Sequence, residues 1–299
     1  MKLVYLVSNH NAGSTPIALV ANAHPAMISP GEMVGPGGRF HDAQGPTCSC
    51  GKTVDICPFW SEVGSQYQRK NFPWQPDKWG LDFRLPGHTW LSRFALNRPD
   101  ILTWRLSLCS RLPWFSTKIQ DLLTRNLEFA RIVLNVAERE AILDASKHPQ
   151  RLYHLSRIPE LDLRITHLLR DPRGWCNSRR KNFKEPVDQT AHRWAEENSR
   201  ISQIISRIPS RNITLRYEEF CENPQAAMKQ IWSLADLPAV SLPDDLSTIK
   251  HHLLGNRMRT QKNLRIKQDL SWQTQLSKDE QKTIEQITAP IASRFGYLF

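Results

Sequence analysis

L-V-Y-L-V-S-N-H-N-A-G-S-T, residues 3–15, is a short apolar run followed at once by a polar loop. P-I-A-L-V-A-N-A-H comes next, a helical pattern with Pro16 near its first turn. An apolar run of this length bounded by a loop reads as a buried parallel strand. Strand, loop and helix in succession form the unit that turns helix N-terminal N–H groups toward an anion. Ala12, Gly13, Ser14 and Thr15 sit at that junction, where a Gly followed by Ser-Thr offers backbone donors and two hydroxyls to a phosphate. The competing reading is an ordinary helix start, because Ser and Thr are common N-caps. No Lys precedes Ser14, so the loop is not a Walker A motif, and an NTPase or kinase is disfavoured.

Further strands are expected at 142–144, at R-I-T-H-L-L (164–169) and at I-T-L-R (213–216). Helices are expected from Arg170, over 188–207, over 224–235 and over 278–289, and a helical pattern rich in Trp, Leu and Arg over 89–145. The Gly- and Pro-rich stretch 29–51 reads as loop, and 52–88 shows little periodicity. Strands alternating with helices argue for an α/β protein, a parallel β-sheet flanked by helices. Its 299 residues are expected to form one domain, 1–299, with a variable, mostly helical insertion at about 60–140.

The net charge is +11 and the pI about 9.6, which favours an anionic partner without choosing among nucleotide, nucleic acid and membrane surface. No run of about 18 apolar residues is present, so no transmembrane segment is expected. M-K-L-V-Y-L-V is too short for a signal-peptide core, and a cytoplasmic protein is the expectation.

The segment H-L-L-R-D-P-R-G (167–174) places Arg170 at a strand end, with Ser178 eight residues on. A guanidinium fork and a hydroxyl so spaced can hold one phosphate. Otherwise Arg170 and Asp171 form a structural ion pair and Ser178 sits idle.

With these two segments in hand, the chain resembles the sulfotransferases that use 3′-phosphoadenosine 5′-phosphosulfate (PAPS). In that family a basic residue and S-G-[ST]-T in the first loop bind the 5′-phosphosulfate. An Arg at a later strand end and a Ser eight residues on hold the 3′-phosphate. L-R-Y-E-E-F (215–220) with N-P (223–224), H-H-L-L-G-N-R-M-R (251–259) and R-F-G-Y (294–297) resemble further family segments in the same order. The resemblance implies a P-loop NTPase-like sulfotransferase fold and PAPS as co-substrate. It also implies in-line sulfuryl transfer to a hydroxyl or amine, with no metal expected. Gly255, Asn256, Arg257 and Arg259 then belong to a basic loop closing over the nucleotide. The acceptor stays open among sugar, lipid, peptide and small phenol, and so does the oligomeric state.

Sulfuryl transfer, like phosphoryl transfer, rests on positioning and charge stabilisation. The family's basic loop residue is replaced here by Asn11, with His10 beside it; both are candidates to serve in its place. Lys147, in D-A-S-K (144–147), resembles a Lys that faces the bridging oxygen or sulfonate; otherwise it is a solvated surface Lys. Glu32 lies in H-P-A-M-I-S-P-G-E (24–32), which resembles the segment carrying the catalytic base of tyrosylprotein sulfotransferases, with one residue more before the Gly. A Glu among cations is held as carboxylate, the form a base needs; otherwise it is a loop-end Glu in a salt bridge. His41 is a weaker candidate. Tyr217 is expected in the core rather than on an adenine.

Cys48, Cys50 and Cys57 have three thiols in close sequence, and His41 would make a fourth metal ligand. The spacing is no recognised finger, so three partly buried thiols are the preferred reading, with a disulfide or a metal as the other outcomes. The stretch 89–118 mixes Trp90, Trp104, Trp114 and Phe115 with Arg93, Arg98, Arg105 and Arg111. It is expected to pack aromatics inward and extend Arg outward; an acceptor pocket or lid is the other reading. Two other functions stay open: a non-catalytic PAPS or nucleotide binder, which Asn11 motivates, and a basic nucleic-acid-binding protein, which rests on charge and this Trp/Arg stretch. No nucleic-acid partner is expected.

Overall fold

The structure, a computed structural model, describes residues 1–35, 41–42, 45–83, 113–250, 252, 254 and 266–299. Its strands are β1 (Lys2–Ser8), β2 (Met27–Gly31), β3 (His41–Asp42), β4 (Gly45–Pro46), β5 (Ala141–Lys147), β6 (Asp162–Leu169) and β7 (Asn212–Arg216). Five of them form one sheet in the order β2-β5-β1-β6-β7, with every pairing parallel. The short β3 and β4 make a separate antiparallel pair. The helices are α1 (Ser14–Ala21), α2 (Pro58–Arg69), α3 (Pro113–Ala137), α4 (Pro149–Leu155), α5 (Pro172–Phe183), α6 (Val187–Ile205), α7 (Tyr217–Glu222), α8 (Pro224–Leu234), α9 (Trp272–Gln275) and α10 (Lys278–Ala292).

The pleat of β1 explains the layers. Leu3, Tyr5 and Val7 point to one face and meet Leu123 and Leu127 of α3, Leu152 and Leu155 of α4 and Ile201 and Ile204 of α6. Val4 and Leu6 point to the other face and meet Ile17 and Val20 of α1 and Met228, Ile231 and Trp232 of α8. A strand buried on both faces has no polar alternation, which is why L-V-Y-L-V reads as a continuous apolar run.

The chain passes from β1 outward to β2, returns to β5, and crosses β1 to reach β6. Registers such as Val7↔Lys147, Gly31↔Asp144 and Leu169↔Arg216 align the strand ends along one edge. Ligands of open α/β sheets bind in the crevice at that carboxyl edge, where the strand order reverses.

Two elements correct the sequence reading. Met27–Gly31 is a strand, although its Pro30 and Gly31 read as loop. It lies at the sheet edge, where a missing N–H costs no ladder bond on the open side. Pro58–Arg69 is a helix inside the stretch that shows little periodicity; Phe59, Trp60, Val63 and Tyr67 are its buried side. The expected helical pattern over 89–145 is α3 where it is described, and its last residues belong to β5. Residues 84–112, with Trp90 and Trp104, lie outside the described residues, as do Gly255, Asn256, Arg257 and Arg259.

Beneath the carboxyl edge lies a buried polar network. Arg151 Nε donates to Asp144 Oδ2 at 3.0 Å, and its Nη1 donates to Asn126 Oδ1 at 2.7 Å and to the Leu81 carbonyl at 3.1 Å. Asp144 Oδ1 accepts from Ser146 N at 2.9 Å and Met33 N at 3.3 Å, and Ser146 Oγ accepts from Val34 N at 3.2 Å. The network therefore holds the backbone just after Glu32, at Met33 and Val34, and just before Lys147, at Ser146. Asp144 and Arg151 side chains are 0% and 3% exposed, so removing one partner strands a charge in the interior. Arg151→Met is expected to lower the unfolding free energy by about 3–5 kcal/mol, read by urea denaturation. A loss within experimental error would show that the pair bears no structural weight.

Candidate functional site

The first loop leaves β1 at Ser8 and turns twice with positive φ, at Asn11 (68°) and Gly13 (98°). Asn tolerates the left-handed region, whereas Gly13 has a second reason to be glycine. A Cβ there would run into the ring of Tyr217, the first residue of α7. Helix α1 starts directly after Gly13 with no side-chain cap, so its first N–H groups have no capping oxygen. Asn9 is 3% exposed, and neither its Nδ2 nor its Oδ1 has a partner among the described residues.

Arg170 follows β6 and reaches the same loop. Its Nη1 donates to the Asn11 carbonyl at 3.1 Å, its guanidinium lies 5.0 Å from the Tyr217 ring centre, and Nη2 meets Asp269 Oδ2 at 3.3 Å. Trp175 Nε1 on α5 donates to the His10 carbonyl at 2.6 Å. The loop's carbonyls are thus turned to α5. The first loop and the end of β6 are thus in contact, with Tyr217 packed against both.

Asp171 is not the partner of Arg170. It caps α5 by accepting from Arg173 N at 2.8 Å and pairs with the Arg173 guanidinium at 2.7 Å. The expected Arg170–Asp171 alternative is therefore corrected: the helix start claims Asp171. Gly174 leaves the α5 surface open beside Arg170 Nε, and Ser178 lies one turn further along. Among the described residues, Ser178 Oγ accepts from Asn182 Nδ2 at 3.4 Å on its own helix.

A second cluster stands at the ends of β2 and β5. Lys147 Nζ and Glu32 Oε1 are 2.5 Å apart, with side chains 9% and 15% exposed. Lys147 is thus no solvated surface residue, and it adopts a positive φ of 70° right after β5. Such strain persists only where the surroundings hold it, here the Asp144–Ser146 bonds. The His10 and His148 rings meet edge-to-face at 5.3 Å, joining the first loop to the end of β5. That contact brings the first loop, with His10 and Asn11, close to the strand end that carries Lys147 and its partner Glu32.

The last strand end closes the far side. Glu218 accepts from Asp171 N at 2.9 Å and from the Tyr297 hydroxyl at 2.8 Å, and Arg216 donates to the Gly296 carbonyl at 3.0 Å. L-R-Y-E-E-F, R-D-P and R-F-G-Y thereby meet in space. Burial raises the Glu218 pKa, opposed by those two donors.

Asp269 and the α9 segment carry no signal in the sequence reading, because they act only through distant partners. Asp269 accepts from Ser271 N at 3.0 Å, Lys181 Nζ donates to Ser271 Oγ at 2.8 Å, and Trp272 lies under Arg173 at 4.2 Å. Burial works against the Asp269 carboxylate, but the Ser271 bonds and the Arg170 and Lys181 charges outweigh it, and its pKa falls. Tyr217 is half-buried and touches both the core and the crevice, more than the core residue expected.

Among the described residues, Cys48, Cys50 and Cys57 converge with His252; the side chain of His41, the expected fourth ligand, lies outside them. Among the described residues no helix is long and apolar enough to cross a membrane.

Comparison with known proteins bears on the family and the fold. The sulfotransferase family profile matches residues 76–241, more than half of the chain. That range includes Lys147, Arg170 and Ser178 and leaves out the first loop and Glu32. The sulfotransferase domain of the Synechococcus PCC 7002 olefin synthase is similar over 100% of this chain and 96% of its own length, with TM-score 0.54 and 15% identity. The sulfotransferase domain from the curacin biosynthetic pathway is similar over 99% and 98%, with TM-score 0.50 and 15% identity. No curated protein sequence matches the chain.

Proposed function

The chain belongs to the sulfotransferase family, and from that premise we propose that it moves a sulfuryl group from PAPS to a hydroxyl or amine of a small-molecule acceptor by in-line displacement. The observation that carries the proposal is the Arg170–Asn11 contact, which joins the first loop and the end of β6 in one crevice.

The residues present fit a nucleotide with an anionic group at each end. The uncapped N–H groups of Gly13, Ser14 and Thr15, with Ala12 and the unpartnered Asn9 amide, suit the 5′-phosphosulfate end. Arg170, with Ser178 along α5, suits the 3′-phosphate. There a carboxylate, Asp269, already neutralises the guanidinium and stands in for that anion. Gly255, Asn256, Arg257 and Arg259 are proposed to close over the nucleotide.

When bound, PAPS supplies an activated sulfuryl group and a phosphate leaving group. Glu32 takes the acceptor's proton on a carboxylate oxygen. Lys147, next to it, offers an ammonium to the negative charge that develops at the bridging oxygen or sulfonate. His10 and Asn11 occupy the family's basic position and donate from the loop. The Tyr217 ring and α9 limit water around Arg170, which strengthens its charge interaction. No membrane anchor enters this mechanism, and a cytoplasmic setting is proposed with it.

A second reading, nucleotide binding without transfer, is favoured by Asn11 alone. Incubating the protein with sulfur-labelled PAPS and a panel of hydroxyl and amine acceptors separates the two. Label transferred to any acceptor supports the enzyme. Saturable binding of adenosine 3′,5′-bisphosphate with no transfer supports the second reading. Salt-sensitive nucleic-acid binding that the nucleotide does not displace contradicts both.

A further inference from the structure

Cys48, Cys50, Cys57 and His252 lie outside the crevice chemistry, yet their ligand atoms all fall within 4.8 Å of one another. Cys50 Sγ and Cys57 Sγ are 3.6 Å apart, and His252 Nδ1 is 3.5 Å from Cys48 Sγ and 3.4 Å from Cys57 Sγ. A tetrahedron with Zn–S of about 2.3 Å and Zn–N of about 2.0–2.1 Å has S···S edges of about 3.8 Å and S···N edges of about 3.6 Å. The observed separations match those edges. They also exceed the S–S bond of about 2.05 Å, so they do not describe a disulfide. We propose that these four side chains form a structural zinc site of the Cys3His type.

The local backbone is built for it. Cys48 N donates to the Lys52 carbonyl at 2.8 Å and Gly51 N to the Cys48 carbonyl at 2.9 Å, folding C-S-C-G into a tight turn. The Cys50 N–H faces the Cys48 sulfur, and the Trp60 N–H faces the Cys57 sulfur from the first turn of α2. Donors aimed at thiolate sulfur are the outer-shell partners that orient metal ligands. Phe59 stacks on the His252 ring at 4.9 Å between centres and fixes its plane. Cys48 and Cys57 are buried, His252 is half-buried and Cys50 is exposed; four protein ligands fill a tetrahedral ion's positions, which suits a structural rather than a catalytic ion.

The ion has a task in the fold. His252 lies 195 residues after Cys57, so coordination fastens a distant segment to the 45–57 turn. Two residues later Leu254 N donates to the Pro30 carbonyl at 3.1 Å, and Glu32 N donates back to the Leu254 carbonyl at 3.4 Å. Gly31 permits this approach, because a Cβ there would collide with the Leu254 carbonyl. The zinc thus braces the strand end that presents Glu32.

The test is metal content and coordination, independent of any sulfuryl transfer. The purified full chain is expected to carry about one zinc, released by a thiol-blocking mercurial and read with a chromogenic chelator. Cobalt substitution is expected to show sulfur-to-metal charge-transfer and tetrahedral d–d bands. His252→Gln, which keeps the three thiols, should shift the d–d bands and weaken zinc binding by about tenfold or more. Cys176→Ser and Cys221→Ser, outside the cluster, should leave zinc content unchanged. Protein with reduced thiols that holds no zinc and takes up no cobalt would overturn the proposal. A Cys50–Cys57 disulfide in unreduced peptide maps, or bands that His252→Gln leaves unmoved, would overturn it as well.

Discussion

Glu32→Gln is expected to lower turnover by about 10²–10⁴-fold while nucleotide affinity stays in place. The amide has nearly the carboxylate's shape but no basic lone pair, so it cannot take the acceptor's proton. Glu32 sits at the end of β2, held through Leu254 on one side and through the Asp144 and Ser146 bonds to Met33 and Val34 on the other. That support does not pass through its side chain, so the backbone is expected to remain. The Lys147 ammonium, 9% exposed, loses its partner, and a lower Tm is expected alongside the kinetic loss. Single-turnover rates with saturating PAPS separate the two effects. Wild-type turnover in the variant would remove Glu32 from the role of base.

Arg170→Ala is expected to weaken binding of adenosine 3′,5′-bisphosphate by about 2–4 kcal/mol, or roughly 30- to 1,000-fold in Kd. The side chain is 8% exposed and its fork is lined up by the Asn11 carbonyl, the Tyr217 face and Gly174, so little ordering is left to be done on binding. Arg170→Lys should recover only part of the loss, because an ammonium keeps the charge and gives up the planar fork. Titration calorimetry at fixed salt reads both variants. Unchanged affinity in the alanine variant would place the 3′-phosphate elsewhere.

The features most legible in the sequence are those set by neighbours along the chain. β1, β6 and β7 announce themselves as apolar runs, and Gly13-Ser14-Thr15 as a loop entering a helix. β2 was hidden because Pro30 and Gly31 are turn residues whose meaning changes at a sheet edge. Helix α2 was hidden because aromatic residues crowd its buried side. Glu32 and Lys147 were named one by one from separate segments, while their pairing depends on β2 and β5 lying side by side. Asp269 and His252 had no local signal, since each acquires its chemistry from residues about a hundred or more positions away, Arg170 for the first and Cys57 for the second.

A crystal of the protein soaked with adenosine 3′,5′-bisphosphate tests the central claim most directly. The expected structure has the 5′-phosphate on the N–H groups of residues 13–15 and the 3′-phosphate in the Arg170 fork, with Asp269 displaced from it. A nucleotide bound away from the first loop, with the Arg170–Asp269 pair intact, would contradict the account.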